Sequence, residues 1–421
     1  MIRPPSSGET AQPVRSGSRT TKQERSAQRQ QQITETAVSV IAEHGVDGVT
    51  HRLVARRSKV SVAATTYYFN TKCDIVTAAS DHLLARYEGA FRRLADRLRD
   101  NPGTSLAAIL RRLVEHGAGK YRLGTLAWCE IILDAHGRPE GALQARRWYD
   151  RVTGIWIEIA KLLGEPEPER AARSAIDTAV GLLFVALPLG ADEVFQLPQD
   201  GWPDQEDNEA GVRTDRNASS GTRKPSARDR IVDAAVEVLL LGGSGAVTYQ
   251  AVASRAGVSP AAPNYHFRTV DALLHAAQFH VFTQSKQRYR DVMRNEPSGI
   301  VDAQRLADLT ATVFVREATE FRDLSRAMYP IRLESARKPG LVPVVRAMVN
   351  DQNNAWMRLL RRGSPSLGPS EAVTAQALFA GKLVRMLAVG ADTLMLAESR
   401  GEFAWDFERL LAGTHWSQGR K

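Results

Sequence analysis

Residues 50–69 read THRLVARRSKVSVAATTYYF, and residues 248–267 read TYQAVASRAGVSPAAPNYHF. Each stretch opens on a threonine whose hydroxyl can accept an exposed N–H, so Thr50 and Thr248 are expected to cap short helices. Ser61 and Ser259 are expected to cap a second short helix, which in the first stretch reaches Tyr67 or beyond. Only a few residues separate the two helices, which forces a tight angular pair. Ala55 and Ala253 are small where such helices approach. Val54 and Val60 are placed to pack against Ile33, Ala37 and Ile41 of a preceding helix. Gly257 supplies a permissive turn residue, and Lys59 takes its place in the first stretch.

The correspondence extends well beyond twenty residues. Ile33 aligns with Ile231, Ala37 with Ala235, Gly45 with Gly243 and Phe69 with Phe267, each pair 198 positions apart. Further on, Gly181 aligns with Gly381, and Gly190-Ala191-Asp192 with Gly390-Ala391-Asp392, now 200 apart. Duplication of a unit of about 200 residues explains shared Gly, Thr, Ser and Tyr in one register, which helical patterning alone does not. After each copy, apolar residues recur every three or four positions: Ile75, Val76, Ala79, Leu83, Tyr87, Phe91, Leu94 and Leu98, then Leu273, Leu274, Ala277, Val281 and Phe282. Further amphipathic runs begin after Pro102-Gly103, Gly124, Pro139 and Pro168, and after Pro297, Pro330, Pro343 and Pro369. No sustained period-two pattern appears, so the expected fold class is all-α.

Residues 1–24 are expected to form a disordered basic arm. Residues 197–226, rich in Pro, Gly, Asp, Glu, Asn and Ser, are expected to be a solvated linker. Residues 1–80 hold eleven Lys/Arg against six Asp/Glu, and residues 213–268 eight against four, which accounts for the whole net charge of +9. Positive charge is therefore concentrated around the two repeated segments, where a polyanion would dock. Two cysteines, Cys73 and Cys129, give no disulfide framework and suit a reducing cytoplasm. No secretory signal is evident, and no apolar run approaches the roughly 20 residues of a membrane helix.

The pattern of residues 50–72 and 248–269 resembles the DNA-binding domain of the TetR family. The match lies at Thr50, Val54, Ala55, Val60, Ser61, Tyr68, Phe69, Thr71 and Lys72, and again at Thr248, Val252, Ala253, Gly257, Val258, Ser259, His266, Phe267 and Thr269. The resemblance implies two tandem TetR-like units, each an N-terminal three-helix helix-turn-helix domain followed by a C-terminal helical ligand and dimerisation domain. The implied boundaries are 25–72 and 73–196 for the first unit, then 227–270 and 271–414 for the second. Departures from the family pattern are Lys59 for the turn glycine, Thr66 and Asn264 at a usual tyrosine, Val270 at the position of Lys72, and Pro263 within the second recognition helix. Pro263 is expected to remove one helical hydrogen bond. The two copies are therefore expected to read different half-sites or to bind with unequal strength.

By the same resemblance, the helices opening at Ser61 and Ser259 would enter major grooves. The base-facing set is then Val62, Ala63, Thr65, Thr66 and Tyr67, with Pro260, Ala261, Asn264 and Tyr265. Asn264 suits bidentate reading of adenine. Thr50, Arg52, Tyr68 and Lys72, with Thr248, Gln250 and His266, would face phosphates. Arg19, Lys22 and Arg25, and Arg223, Lys224 and Arg228, are either arms along the DNA or solubilising tails. Tyr68, Phe69, His266 and Phe267 equally suit packing of the recognition helix, and Arg56 and Arg57 suit a solvated helix surface.

Family members dimerise through a four-helix bundle, for which residues 140–163, 168–190, 342–362 and 369–391 are the candidates. A linker of 30 residues spans about 30 Å on average, so one chain can supply all four helices as an intrachain pseudo-dimer; a higher oligomer stays open. Gly181 and Gly381 fall mid-helix, where a missing side chain permits close approach. Tyr121, Trp128, Trp148 and Trp156, then Met328, Tyr329 and Trp356, are candidate lining of a small-molecule effector pocket; Cys129, Tyr149 and Met386 are also available.

The implied function is a sequence-specific DNA-binding transcriptional regulator of the cytoplasm, a ligand-responsive repressor on a double-stranded DNA operator. The alternatives are an activator, or a helical interaction protein whose DNA reading has decayed. Gly242-Gly243-Ser244-Gly245 lacks the ending of a phosphate-binding loop. Asp271 and His275 have no further ligand at metal spacing. No catalytic residue, metal site or cofactor is expected, and no membrane partner.

Overall fold

The computed structural model describes residues 17–101, 103–138, 140–196, 226–294 and 299–413, and these are helices joined by short turns with no strand among them. The first half runs α1 (Gly17–His44), α2 (His51–Ser58), α3 (Val62–Tyr68), α4 (Lys72–Asp100), α5 (Leu106–Ala118), α6 (Arg122–Leu133), α7 (Gly141–Leu162), α8 (Pro168–Leu189) and α9 (Ala191–Phe195). The second runs α10 (Ala227–Gly242), α11 (Tyr249–Ala256), α12 (Ala262–His266), α13 (Val270–Arg294), α14 (Ala303–Ala318), α15 (Arg322–Met328), α16 (Pro330–Ser335), α17 (Val342–Leu360), α18 (Pro369–Val389) and α19 (Thr393–Leu411).

Local chemistry sets these boundaries. Thr50, Ser61, Ser105, Ser226, Thr248, Asp302 and Asp392 each accept a backbone N–H at the start of a helix. Thr71 and Ser226 complete reciprocal capping boxes with Asp74 and Asp229. Pro330 separates α15 from α16, where the first half has the single helix α6. Helix α6 begins at Arg122, ahead of Gly124, with the Tyr121 carbonyl accepting from Thr125 N at 3.0 Å.

One expectation for the polar segments is revised. Residues 17–24, placed in a disordered arm, are the first turns of α1, continuous with the helix that buries Ile33, Ala37 and Ile41. Glutamine, lysine and arginine are good helix formers, so extending an anchored helix outward is easier than starting one. Arg19, Lys22 and Arg25 thus lie on α1. Arg228 lies on α10 with its guanidinium 5.1 Å from the centre of the Phe267 ring. Arg223 and Lys224, the linker up to residue 225 and residues 1–16 lie outside the described residues, as do Pro102, Pro139 and Pro297.

The two halves meet along α8 and α18, flanked by α7 and α17. The crossing is set by glycine. A Cβ on Gly181 would lie 2.0 Å from the carbonyl oxygen of Ala377, and one on Gly381 would lie 1.8 Å from that of Asp177. Residues 177 and 377 correspond in the repeat, so the crossing has approximate two-fold symmetry, each glycine seated over the other helix's matching carbonyl. Helices α8 and α18 have the length and mean hydropathy of membrane spans, although charged residues interrupt each, and 89% of each such stretch is buried within the protein. Most of their buried positions are apolar whichever way they face, because helices surround them.

Inside this apolar crossing sits a charged cluster. Asp177 of α8 receives two hydrogen bonds of 3.0 Å from Arg385 of α18. Lys382 lies 2.9 Å from Glu402, 3.2 Å from Asp406 and 3.5 Å from Asp177. Ser174 of α8 bonds Asp406 of α19 at 2.6 Å. Burial alone would raise the Glu402 carboxyl, but Lys382 and Arg385 overcome it and hold the group down at about 2. The cluster is not symmetric. In the repeat, Asp177 corresponds to Ala377, Lys382 to Leu182 and Arg385 to Val185. The first half brings Asp177, and the second brings Lys382 and Arg385 together with Glu402 and Asp406.

Candidate DNA-binding surface and effector cavities

Each half begins with the three-helix unit read from the sequence. Ile33, Ala37, Val54 and Phe69 are buried in the first; Ile231, Ala235, Val252 and Phe267 in the second. Between α2 and α3 the chain turns through Lys59 at φ 55°, ψ 39°; between α11 and α12 it turns through Gly257 at φ 62°, ψ 39°. Both turns need the left-handed region, which costs a side-chain-bearing residue about 1 kcal/mol. Lys59 is the one non-glycine residue with positive φ among the described residues.

From Ser61 to Phe69 the burial pattern is repeated position by position from Ser259 to Phe267. Ser61, Val62, Ala63, Thr66 and Tyr67 are exposed, as are Ser259, Pro260, Ala261, Asn264 and Tyr265. Tyr67 is 79% and Tyr265 86% exposed, an unusual degree for tyrosine. Thr65 is the exception to the predicted base-facing set. It is fully buried, its hydroxyl donating to the carbonyl of Val62 at 2.7 Å, and Pro263 fills the same place in the second copy. A helix this short has one inward face, and position 65 is on it.

The second recognition helix also departs from the expected plan. The turn at Gly257 matches that at Lys59, but the helix beyond it does not open at Ser259. Helix α12 starts at Ala262, two positions later than α3 does, and no side chain caps it. Pro260 and Pro263 explain this. Pro263 falls in the first turn of α12, where its missing N–H would have had no helical partner, so the predicted loss of a hydrogen bond does not occur.

The expected phosphate-facing residues surround these helices. Thr50 and Thr248 accept from Leu53 N at 3.1 Å and Ala251 N at 3.2 Å, and Arg52 and Gln250 beside them are exposed. Tyr68 and His266 are half-buried, and the Tyr68 hydroxyl lies 3.0 Å from Ser26 Oγ on α1. Lys72 begins α4 and places Nζ 3.4 Å from the Asp47 carbonyl and 3.8 Å from its carboxylate. A phosphate would have to share it. Arg57 pairs with Glu43 at 2.8 Å, while Arg56 is exposed.

Two cavities open in the C-terminal domains. The first-half cavity is about 1230 Å³, with Tyr121, Trp128, Trp148 and Trp156 on its wall. The second-half cavity is about 470 Å³, with Met328, Tyr329 and Trp356 on its wall. Cys129, Tyr149 and Met386 are buried in packing and line neither. Not foreseen from the sequence are the polar residues of the smaller cavity, Arg332, Ser285, Thr310 and Gln376. Their helical spacing carries no mark that separates them from solvated positions. Equally unforeseen is Arg337, just beyond α16, which donates to the Ala42 carbonyl of α1 at 2.6 Å and pairs with Glu130 of α6. Next to it, Lys338 reaches Asp271 at the start of α13 at 3.2 Å. The segment after α16 therefore touches the first DNA-binding domain and the helix that follows the second. Among the described residues no cluster of His, Cys, Asp and Glu is arranged to hold a metal ion.

Comparison with known families agrees with this geometry. The family model described as "Bacterial regulatory proteins, tetR family" matches residues 33–79 and 231–277. The model described as "Tetracyclin repressor-like, C-terminal domain" matches residues 101–200 and 301–413. No curated protein matches the chain. Both domain types thus occur twice, in the order and at the places where the helix-turn-helix units and the helical bodies lie, and the chain belongs to the TetR family of regulators, with two tandem units in one polypeptide.

Proposed function

We propose that the chain is a ligand-responsive transcriptional repressor of the cytoplasm, in which one polypeptide acts as a pseudo-dimer on a double-stranded DNA operator. The observation that carries this reading is the pair of exposed short helices with matching burial, joined to two bodies that pack on each other through α8 and α18. The asymmetric charge cluster supports pairing of unlike halves. Asp177 of the first half is paired by Arg385 and Lys382 of the second, and in a pair of two first halves Val185 would stand where Arg385 does, leaving that buried carboxylate without a cation.

On this reading Val62, Ala63, Thr66 and Tyr67 face the bases of one half-site, and Pro260, Ala261, Asn264 and Tyr265 those of the other. Thr50, Arg52, Thr248 and Gln250 hold the flanking phosphates, with Lys72 present in one copy only. The half-sites differ in sequence because the two faces differ. An effector in either cavity would act by shifting the bodies, to which α1 is tied through Arg337.

A gel shift on the gene's own upstream DNA tests the DNA reading. Affinity should fall steeply with salt, since neutralised phosphates release counter-ions. No binding there, nor to any duplex in a random-sequence selection, would favour a helical interaction protein instead. Deleting the gene should raise a reporter driven by that DNA; a fall would make the protein an activator.

A further inference from the structure

We infer that the second-half cavity binds a carboxylate on a largely apolar body, with the carboxylate held by Arg332. This rests on the effector-binding reading of the domain and adds the chemistry of the head group. Arg332 is 1% exposed. Its Nη2 donates to Gln352 Oε1 at 2.8 Å, and its Nε and Nη1 have no hydrogen-bond partner. The protein acceptor is thus a neutral amide, itself also bonded by Gln376 Nε2 at 2.9 Å. The guanidinium lies 5.7 Å from the centre of the Tyr329 ring, an attraction too weak to replace a counter-ion. An ion buried without a counter-charge is strongly unfavourable, and proteins rarely leave one so.

The acids nearby are already engaged. Asp351, on the same wall, is paired with Lys286. Glu317 is held by Arg288 at 3.0 Å and by Ser325. Two hydroxyls of the wall, Ser285 Oγ and Thr310 Oγ1, are also buried and without partners, and both are able to donate to an anion. The rest of the lining is largely apolar and aromatic, with Phe282, Tyr289, Val313, Met328, Trp356 and Phe379. Of the cations on the wall, Lys286 is paired with Asp351 and Arg358 and Arg362 reach solvent, so Arg332 is the fully buried one, and a single buried guanidinium suits a single carboxylate. The volume of about 470 Å³ suits an acid with one or two rings or a medium chain.

The test uses the full chain without DNA. Phenylacetate, 4-phenylbutyrate and 2-naphthoate are each compared with their neutral primary amides by thermal shift and calorimetry. At least one acid should raise Tm by about 2 °C or more and bind at least about tenfold more tightly than its amide. Arg332→Met should abolish that preference while leaving the ligand-free Tm unchanged or higher, because it removes an unpaired buried charge. Arg332→Lys, which keeps the charge, should retain part of the preference. Acids indistinguishable from their amides would overturn the inference, as would an acid preference that survives in Arg332→Met. Because DNA is absent, these outcomes are separate from the DNA reading: an acid that binds through Arg332 without altering operator affinity would fault the effector role and leave the site intact.

Discussion

Among single side chains, exposure separates those that hold the fold from those free to meet a partner. Tyr67 and Tyr265 sit on the exposed faces of α3 and α12. Replacing both with alanine should change stability by less than about 0.5 kcal/mol and weaken operator binding at least tenfold, measured by denaturation and by gel shift. Retained affinity would remove these faces from the interface. Lys59→Gly should stabilise the protein by about 1 kcal/mol, because glycine enters the left-handed turn without strain; urea denaturation measures it. Most of this surface was legible in the sequence, since the caps, the small residues and the turn positions have fixed chemistry. Thr65 was misplaced, because a helix of two turns is too short for periodicity to tell its inward face from its outward one.

Among the helices, the α8–α18 crossing is the most constrained contact. Gly381→Ala would drive a methyl group into the Asp177 carbonyl, and Gly181→Ala one into that of Ala377. Each should destabilise the chain by about 3 kcal/mol or more, read from the denaturation midpoint. Wild-type stability would mean that the helices do not cross there. The bundle helices and both glycines were readable from apolar spacing and proline breaks. The late start of α12 was not, because Pro260 and Pro263 shift a helix start without changing the surrounding pattern. The extension of α1 was also missed, since a polar helix and a polar arm share one composition.

In the complete molecule, two copies of one unit have been made complementary by a few buried charges. Asp177, Lys382 and Arg385 stand in otherwise apolar helices, a signal visible in the sequence whose partners only the packing reveals. The cluster also sets an acid limit. Glu402 has its carboxyl held at about 2, below its ordinary 4.5, so its contribution is fully present above pH 4.5 and is lost as pH falls toward 2. Thermal melts over that range should show a progressive fall in Tm that Glu402→Gln reduces; an equal fall in the variant would place the acid lability elsewhere. Whether one chain presents both DNA-reading helices to one operator can be measured by native mass spectrometry of the protein on an operator recovered by genome-wide mapping. The expected complex holds one chain of 46.3 kDa per duplex and protects two half-sites of unlike sequence. A complex that always contains two chains, or one chain protecting a single half-site, would contradict it.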